Sequence, residues 1–95
     1  MINSKTEVYC IIGNPVSHSM SPAIHNAAFN ELELNCCYVA FNVSNPEDAI
    51  KGIKALGIKG ISVTIPFKTS VIPFLDKIDK NAENIGAVNT IKNED

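Results

Sequence analysis

Residues 60–68 read GISVTIPFK, and this stretch decides how the rest of the chain is interpreted. Apolar residues at 61, 63 and 65 alternate with Ser62 and Thr64, which predicts a β-strand that points two hydroxyl groups to one side. Pro66 cannot donate to a sheet and ends the strand, so Lys68 is expected in the following turn. In a parallel sheet that turn lies at the carboxyl edge, where open α/β sheets bind ligands. The stretch therefore predicts a ligand site.

Two apolar strands precede this stretch. VYCIIG at 8–13 leads into Gly-Asn-Pro, a pattern typical of a strand that is buried on both faces and followed by a sharp loop. CCYVAFNV at 36–43 is also mostly apolar, and we expect it in the interior of the sheet and not at an edge. Both strands are predicted to be central.

Helical patterns separate the strands. Ser21 is a favoured N-cap residue and Pro22 a favoured first helical residue, so a helix is expected to begin there. A buried stripe at helical spacing is predicted for this helix, consisting of Ile24, Ala27, Ala28 and Leu32. A second helix is predicted between Asn45, as its cap, and Gly57, beyond its end.

The last third of the chain holds shorter elements. Pro73 keeps any helix between 69 and 75 short, Asp79 caps a short helix that Gly86 ends, and AVNTI at 87–91 has strand character. The alternation of strands and helices with short connections is typical of a parallel sheet. We predict an α/β fold over residues 1–95: a single three-layer domain with a mostly parallel sheet and helices on both faces.

Composition limits the partners. The net charge of −2, with eight lysines and no arginine, argues against nucleic acid, and leaves hydroxyls, backbone N–H groups or a lysine to hold an anion. No segment resembles a signal peptide or a membrane span, so we expect a cytoplasmic protein without a membrane partner. Three cysteines without CxxC spacing are expected to be free thiols, with no disulfide framework and no metal site.

Six polar residues are candidates for the site, and each also has a purely structural interpretation. Ser19 and Ser21 precede a helix, where hydroxyls and free N–H groups attract an anion, although Ser21 can equally be only a cap. Ser62 and Thr64 can face a ligand or simply fit a half-buried strand. Lys68 can donate a proton to a developing oxyanion or can be an ordinary solvated surface lysine. Asn89, in the middle of a predicted strand, has an amide that needs a partner, and either a ligand hydroxyl or a backbone group would serve.

Three segments form a specific pattern, in this order: IGNPV with HSMSP at 12–22, SVTIPFK at 62–68 and GAVNT at 86–90. Together they resemble the amino-terminal substrate-binding domain of the shikimate dehydrogenase family. The resemblance implies reduction of 3-dehydroshikimate to shikimate with NADPH. It also implies that Lys68 is the catalytic lysine. The implied substrate-binding residues are Ser19 and Ser21 at the carboxylate, Thr64 and Asn89 at ring hydroxyls, and Ser62 and Lys68 beside them.

The chain departs from the family pattern in two ways. Ser62 stands where many members carry asparagine, and the family's catalytic aspartate belongs to an Asn-Thr-Asp motif that does not follow Lys92 within this chain. Asp95 lies in the turn before that motif and is not assigned its role. We therefore expect the chain alone to be catalytically incomplete.

The family's NADP-binding domain is also absent from these residues, since the five glycines never form GxGxxG. We expect no cofactor on this chain, which would be a piece of a longer protein or a split gene product. Its expected partners are shikimate or 3-dehydroshikimate, the missing NADP-binding domain, and a second copy in a homodimer. The alternatives are a stand-alone module that binds shikimate or quinate without catalysis, and a structural domain with a decayed site.

Overall fold

The computed structural model describes residues 2–94. Its elements, in chain order, are β1 (Glu7–Gly13), α1 (Ser21–Glu31), β2 (Cys36–Asn42), α2 (Pro46–Leu56), β3 (Gly60–Val63), α3 (Phe67–Ser70), a 3-10 helix (Ile72–Phe74), α4 (Lys80–Ile85) and β4 (Thr90–Lys92). None of the described helices combines the length and the hydropathy that a membrane span requires.

One sheet with the strand order β2-β1-β3-β4 forms the centre of the domain. β1 is parallel to both β2 and β3, whereas β4 runs antiparallel to β3. Parallel strands need crossover connections, and helices supply them here, because α1 connects β1 to β2 and α2 connects β2 to β3. The predicted α/β fold with a mostly parallel sheet is confirmed.

Helices cover both faces of the sheet, as predicted. On one face α2 packs its buried residues against those of β1 and β3. This core consists mainly of Cys10, Ile12, Ile50, Ile53, Ile61, Val63, Phe67 and Val71. On the other face α1 contributes Phe29, whose ring lies 5.6 Å from that of Tyr9. The two helices thus define the outer layers.

The ends of α2 and α4 follow their sequence signals. The Asp48 N–H donates to Asn45 Oδ1 at 3.0 Å, and Gly57 has a φ of 67° beyond the last turn of α2. Asp79 caps α4 through its side chain, and Gly86 ends it with a φ of 78°. Side chains at both N-termini satisfy backbone donors that the helices leave free, and glycine adopts the left-handed conformation at both C-termini without steric cost.

The interior position predicted for the second strand is wrong, because β2 is an edge strand. Val39 and Phe41 are 37% and 40% exposed. The outward backbone groups of Tyr38 are satisfied by a side chain of α1 in place of a further strand. The Tyr38 N–H donates to Asn26 Oδ1 at 2.8 Å, and Asn26 Nδ2 donates to the Tyr38 carbonyl at 2.9 Å. These two bonds are called the Asn26 clamp below.

The buried stripe predicted for α1 is also wrong. The helix carries no buried residue, and the predicted stripe is exposed at Ile24, Ala27, Ala28 and Leu32. The Asn26 clamp fixes the rotation of α1 about its axis, so that Phe29 and the preceding turn face the sheet. The helix therefore contacts the sheet through aromatic and amide groups, and its aliphatic residues point outward.

β3 is shorter than the alternating pattern predicts. It ends at Val63, and Ile65 is 73% exposed. The Thr64 N–H still donates to the Ile12 carbonyl at 3.0 Å, after which the chain turns away toward Pro66. A residue before proline is sterically restricted and proline lacks the donor for the next ladder bond, so the strand stops early.

Replacing Asn26 by alanine should destabilise the domain by about 1–3 kcal/mol, because both clamp bonds are lost and the outward groups of Tyr38 are left without their partner. Asn30→Ala is the matched control, since Asn30 is an exposed residue of the same helix. Urea denaturation of both variants measures the difference. Equal stability of the two variants would show that the clamp does not hold α1 on the sheet.

Candidate functional site

The connections after β1 and β3 meet at the carboxyl edge of the sheet. The Asn14 N–H donates to the Ile65 carbonyl at 3.0 Å, which ties the two connections together. Gly13 lies between them, and a Cβ atom at this position would collide with the side chains of Thr64 and Val16. The absence of a side chain therefore permits the close approach that builds this edge.

The loop before α1 is ordered by its own serines. The Ser19 N–H donates to the Val16 carbonyl at 3.0 Å, and the Ser21 N–H donates to Ser19 Oγ at 3.2 Å. The prediction that Ser21 caps α1 is wrong, because Ser21 is the first helical residue and Met20 occupies the cap position without a side-chain bond. Among the described residues the Ser21 hydroxyl has no hydrogen-bond partner. It is therefore available to a ligand.

Lys68 and Asn89 are brought to the same edge by two backbone bonds. The Val88 N–H donates to the Lys68 carbonyl, and the Val63 N–H donates to the Asn89 carbonyl, both at 2.7 Å. Lys68 lies in α3 and not in an open turn, and its side chain is exposed.

Asn89 also departs from its predicted place. It precedes β4 and does not lie in the middle of a strand, because β4 begins at Thr90. Its side chain is exposed, so water can satisfy the amide, and neither of the two predicted partners, a ligand hydroxyl or a backbone group, is required. The bond from Val63 holds its backbone beside the end of β3, which leaves the amide free to face a ligand.

Ser62 and Thr64 point to the α1 face of the sheet, opposite the buried Ile61 and Val63, as the alternation predicts. Their surroundings differ. Thr64 lies over Gly13 at the edge. Ser62 is set back from the edge, in a groove of about 490 Å³, and its Oγ accepts a hydrogen bond from the Tyr38 hydroxyl at 2.7 Å.

Charge at this edge comes from Lys68. The ion pairs found within residues 2–94 are Lys51–Glu47, Lys54–Asp76 and Lys92–Glu94, and none of them involves Lys68. Asp95, which is not predicted to be a catalytic group, lies outside the described residues. The lysine therefore has no ion-pair partner in the part of the chain that the structure describes.

The Cys10 thiol and the His25 imidazole have structural surroundings. Burial raises the pKa of the Cys10 thiol to about 11, so Cys10 is uncharged at neutral pH and unreactive as a nucleophile. All three cysteines are free, as predicted. His25 stacks on Tyr38 with ring centroids 4.3 Å apart. Within residues 2–94 no cluster of His, Cys, Asp or Glu could hold a metal ion.

A family model described as the shikimate dehydrogenase substrate binding domain matches residues 11–91. The chain belongs to this family. The sequence resemblance is thereby confirmed.

Relatives named shikimate dehydrogenase match the whole domain. The NADP(+) enzyme of Methanocaldococcus jannaschii is 58% identical over 97 residues, which cover 100% of this chain and 34% of the relative. A crystal structure of a shikimate dehydrogenase in complex with NADP+ superimposes with a TM-score of 0.96 at 58% identity, covering 100% of this chain and 34% of that one. The enzyme from Listeria monocytogenes, in complex with shikimate and NAD, gives a TM-score of 0.93 at 41% identity, covering 99% and 33%. The chain thus spans about a third of the length of these relatives.

Two residues near the site of this substrate-binding domain were not predicted from the sequence to have a role there. Tyr38 was predicted only as a strand residue, and Asn26 was not singled out at all. A signal was present, because asparagine is unfavourable within a helix and an amide there needs a partner. Which partner it finds depends on the packing of α1 on β2, which the helical pattern does not specify.

The two serines before α1 should differ in their effect on stability. Ser19→Ala removes the acceptor of the Ser21 N–H and should lower the free energy of unfolding by about 0.5–1.5 kcal/mol. Ser21→Ala removes no bond within the described residues and should change it by less than about 0.5 kcal/mol. Urea denaturation of both variants measures this, and a larger loss in Ser21→Ala would restore Ser21 as the helix cap.

Gly13→Ala should destabilise the domain by about 1–3 kcal/mol, because the added methyl group overlaps the side chains of Thr64 and Val16. Gly52→Ala is the matched control. A Cβ at Gly52, inside α2, meets no atom within 4 Å, so alanine should stabilise the helix by roughly 0.5–1 kcal/mol. Thermal unfolding of the two variants should give melting temperatures that move in opposite directions, and a parallel shift would contradict the interpretation.

Proposed function

We propose that residues 1–95 form the substrate-binding domain of an NADP-dependent shikimate dehydrogenase, an oxidoreductase that reduces 3-dehydroshikimate to shikimate. The observation that carries this proposal is the convergence, in a chain of this family, of Ser19, Ser21, Thr64, Lys68 and Asn89 at one carboxyl edge. The bonds from Asn14 to Ile65 and from Val88 to Lys68 support it, because they hold three separate segments together at that edge. Production of shikimate by such an enzyme supplies the aromatic amino-acid route.

Ser19 and Ser21 bind the substrate carboxylate. Their hydroxyls lie at the amino end of α1, where the helix dipole favours negative charge. The Ser21 N–H is already bonded to Ser19 Oγ, Pro22 has no N–H, and the chain has no arginine, so the serine hydroxyls are the main partners for a carboxylate at this helix start. The unpartnered Ser21 hydroxyl is the better ligand group of the two, since Ser19 Oγ already accepts one bond.

Thr64, Ser62 and Asn89 bind the ring hydroxyls. A hydroxyl group both donates and accepts, and so do the side chains of threonine, serine and asparagine, which suits a ligand with several adjacent hydroxyls. Thr64 and Asn89 lie at the edge, on the ends of neighbouring segments. Ser62 lies deeper on the same face and contacts the part of the ring nearest the sheet.

Lys68 acts on the reacting oxygen. An ammonium group placed at the substrate carbonyl stabilises the negative charge that develops during reduction and donates the proton that completes the hydroxyl group. A carboxylate partner would orient the lysine and adjust its pKa, and within residues 2–94 none is within ion-pair distance. The domain therefore holds the substrate and the proton donor of the reaction.

NADP does not fit the residues of this chain. The glycines at 13, 52, 57, 60 and 86 never form the phosphate-binding pattern of a dinucleotide fold, and Gly13 serves the approach of Thr64. The cofactor site belongs to a second domain. That domain is the proposed partner of the carboxyl edge, and the predicted homodimer stays a prediction.

The isolated chain should bind shikimate weakly, with a Kd on the order of 1 mM, and should show no dehydrogenase turnover. An NMR titration of the labelled chain measures the affinity, and incubation with shikimate and NADP+ measures formation of reduced cofactor. Ser21→Ala should weaken binding about 10-fold without loss of stability, since it removes a bond to a charged group. Lys68→Ala should also weaken binding, because it removes the positive charge of the site, whereas the matched control Lys5→Ala should not, because Lys5 is exposed and precedes β1 at the opposite edge of the sheet.

The outcomes separate the alternatives. Absence of shikimate binding at concentrations of tens of millimolar would overturn the proposal and favour a domain with a decayed site. Micromolar affinity for shikimate or quinate would favour the stand-alone binding module. Turnover by the pure chain would contradict the assignment of the cofactor site to a second domain.

A further inference from the structure

Tyr38 reaches across the sheet to a residue of the proposed site. In the strand register Tyr38 pairs with Tyr9, which in turn pairs with Gly60, so β1 lies between Tyr38 and β3. The side chain of Tyr38 crosses β1, and its hydroxyl meets Ser62 Oγ at 2.7 Å in the groove behind the carboxyl edge. A bond between strands that are not neighbours cannot be a by-product of sheet pairing.

Two neighbouring residues of α1 hold Tyr38, one at its ring and one at its backbone. Tyr38 is 6% exposed, and the imidazole of His25 stacks on the ring at 4.3 Å with an angle of 11° between the planes. The Asn26 clamp fixes the backbone of the same residue. With its backbone bonded and its ring stacked, the tyrosine has little freedom left, and its hydroxyl is a fixed point in space.

This fixed hydroxyl determines what Ser62 can offer to a ligand. A serine hydroxyl rotates freely, with one proton to donate and two lone pairs that accept. When Tyr38 donates to Ser62 Oγ, one lone pair is occupied, and the serine keeps its own proton for an oxygen of the ligand. Bonds in such a chain also strengthen one another.

We propose that Tyr38 is a positioning residue of the substrate site, which sets the Ser62 hydroxyl as a donor to one ring hydroxyl of the bound cyclic hydroxy acid. This inference rests on the proposed function. It also gives α1 two roles in recognition. The helix carries Ser21 at its start and, one turn later, His25 and Asn26, which hold Tyr38. One rigid element thus sets the distance between the carboxylate contact and a hydroxyl contact.

A purely structural role for Tyr38 makes a different prediction. A buried phenol needs a hydrogen-bond partner, and Ser62 can serve only that need. In that case loss of the Tyr38 hydroxyl lowers stability but leaves the affinity of the folded protein for shikimate unchanged. Stability alone therefore cannot decide, and the affinity of the folded variants must be measured.

The test is a double-mutant cycle on the 95-residue chain, with shikimate as the probe and the Thr64 amide resonance, which every variant keeps, as the NMR readout. Tyr38→Phe keeps the ring that stacks on His25 and removes the hydroxyl, and it should weaken binding by about 3–10-fold. Ser62→Ala should weaken binding at least as much. The double variant should bind like Ser62→Ala within about 2-fold, because Tyr38 acts through Ser62.

Tyr9→Phe is the matched control. Tyr9 lies on the same face of the sheet and packs against Phe29. Burial and, to a smaller extent, the negative charge of Glu7 raise the pKa of its phenol, so the hydroxyl is uncharged at neutral pH. Removal of this hydroxyl should leave shikimate affinity within about 2-fold of the starting protein. His25→Ala is a second test of whether Tyr38 positions Ser62, since it loosens the Tyr38 ring without removing either hydroxyl. It should weaken shikimate binding if Tyr38 positions Ser62.

The outcomes distinguish a failure of this inference from a failure of the proposed function. If Tyr38→Phe and His25→Ala both bind shikimate as tightly as the starting protein while Ser62→Ala binds it less tightly, Tyr38 is structural only and the inference is wrong. Effects of Tyr38→Phe and Ser62→Ala that multiply in the double variant would also overturn it. Failure of the starting protein to bind shikimate at all would defeat the proposed function, and the inference with it.

Discussion

Two hydrogen bonds between the Asn26 amide and the backbone of Tyr38 hold α1 on the edge of the sheet. Much of the remaining arrangement depends on them. The helix buries no aliphatic residue, so these polar contacts and the rings of His25 and Phe29 decide its rotation and its height above the strands. The position of Ser21 at its start follows from that placement. An amide pair of this kind is directional, which makes it a better determinant of geometry than a hydrophobic contact of similar strength.

The carboxyl edge is assembled mainly by backbone groups. Carbonyl and N–H groups join Asn14 to Ile65, Val63 to Asn89 and Val88 to Lys68. The side chains with proposed ligand contacts are therefore largely free of structural duties at this edge, apart from the bonds that Ser19 and Ser62 accept. Because backbone bonds hold the edge in place, the hydroxyl and amide side chains can face a ligand. The fixed backbone also limits the conformational entropy that is lost on binding.

The sequence predicted what local chemistry controls. Alternation placed Ser62 and Thr64 opposite Ile61 and Val63, and the cap residues Asn45 and Gly57 marked the ends of α2. It failed where packing between elements decides. A continuous apolar run could not reveal that β2 lies at an edge, because the outward groups of Tyr38 are satisfied from α1. The buried stripe predicted for α1 was wrong for the same reason, because contacts with β2 and not helical spacing decide which side of α1 faces the sheet. Among the site residues, Lys68 and Asn89 were expected at this edge, but their helix and pre-strand settings were not.

Asn26 also bears on how the sheet could grow. The free side of β2 is the place where another extended chain could add in register, and the apolar Val39 and Phe41 would favour such an addition. The amide of Asn26 already occupies the donor and the acceptor of Tyr38 at the centre of this strand. An incoming strand would have to break both bonds and lift α1 away before it could pair along the whole length of β2. The Asn26 side chain thus takes the place of a fifth strand at Tyr38 and opposes the addition of another chain to this edge.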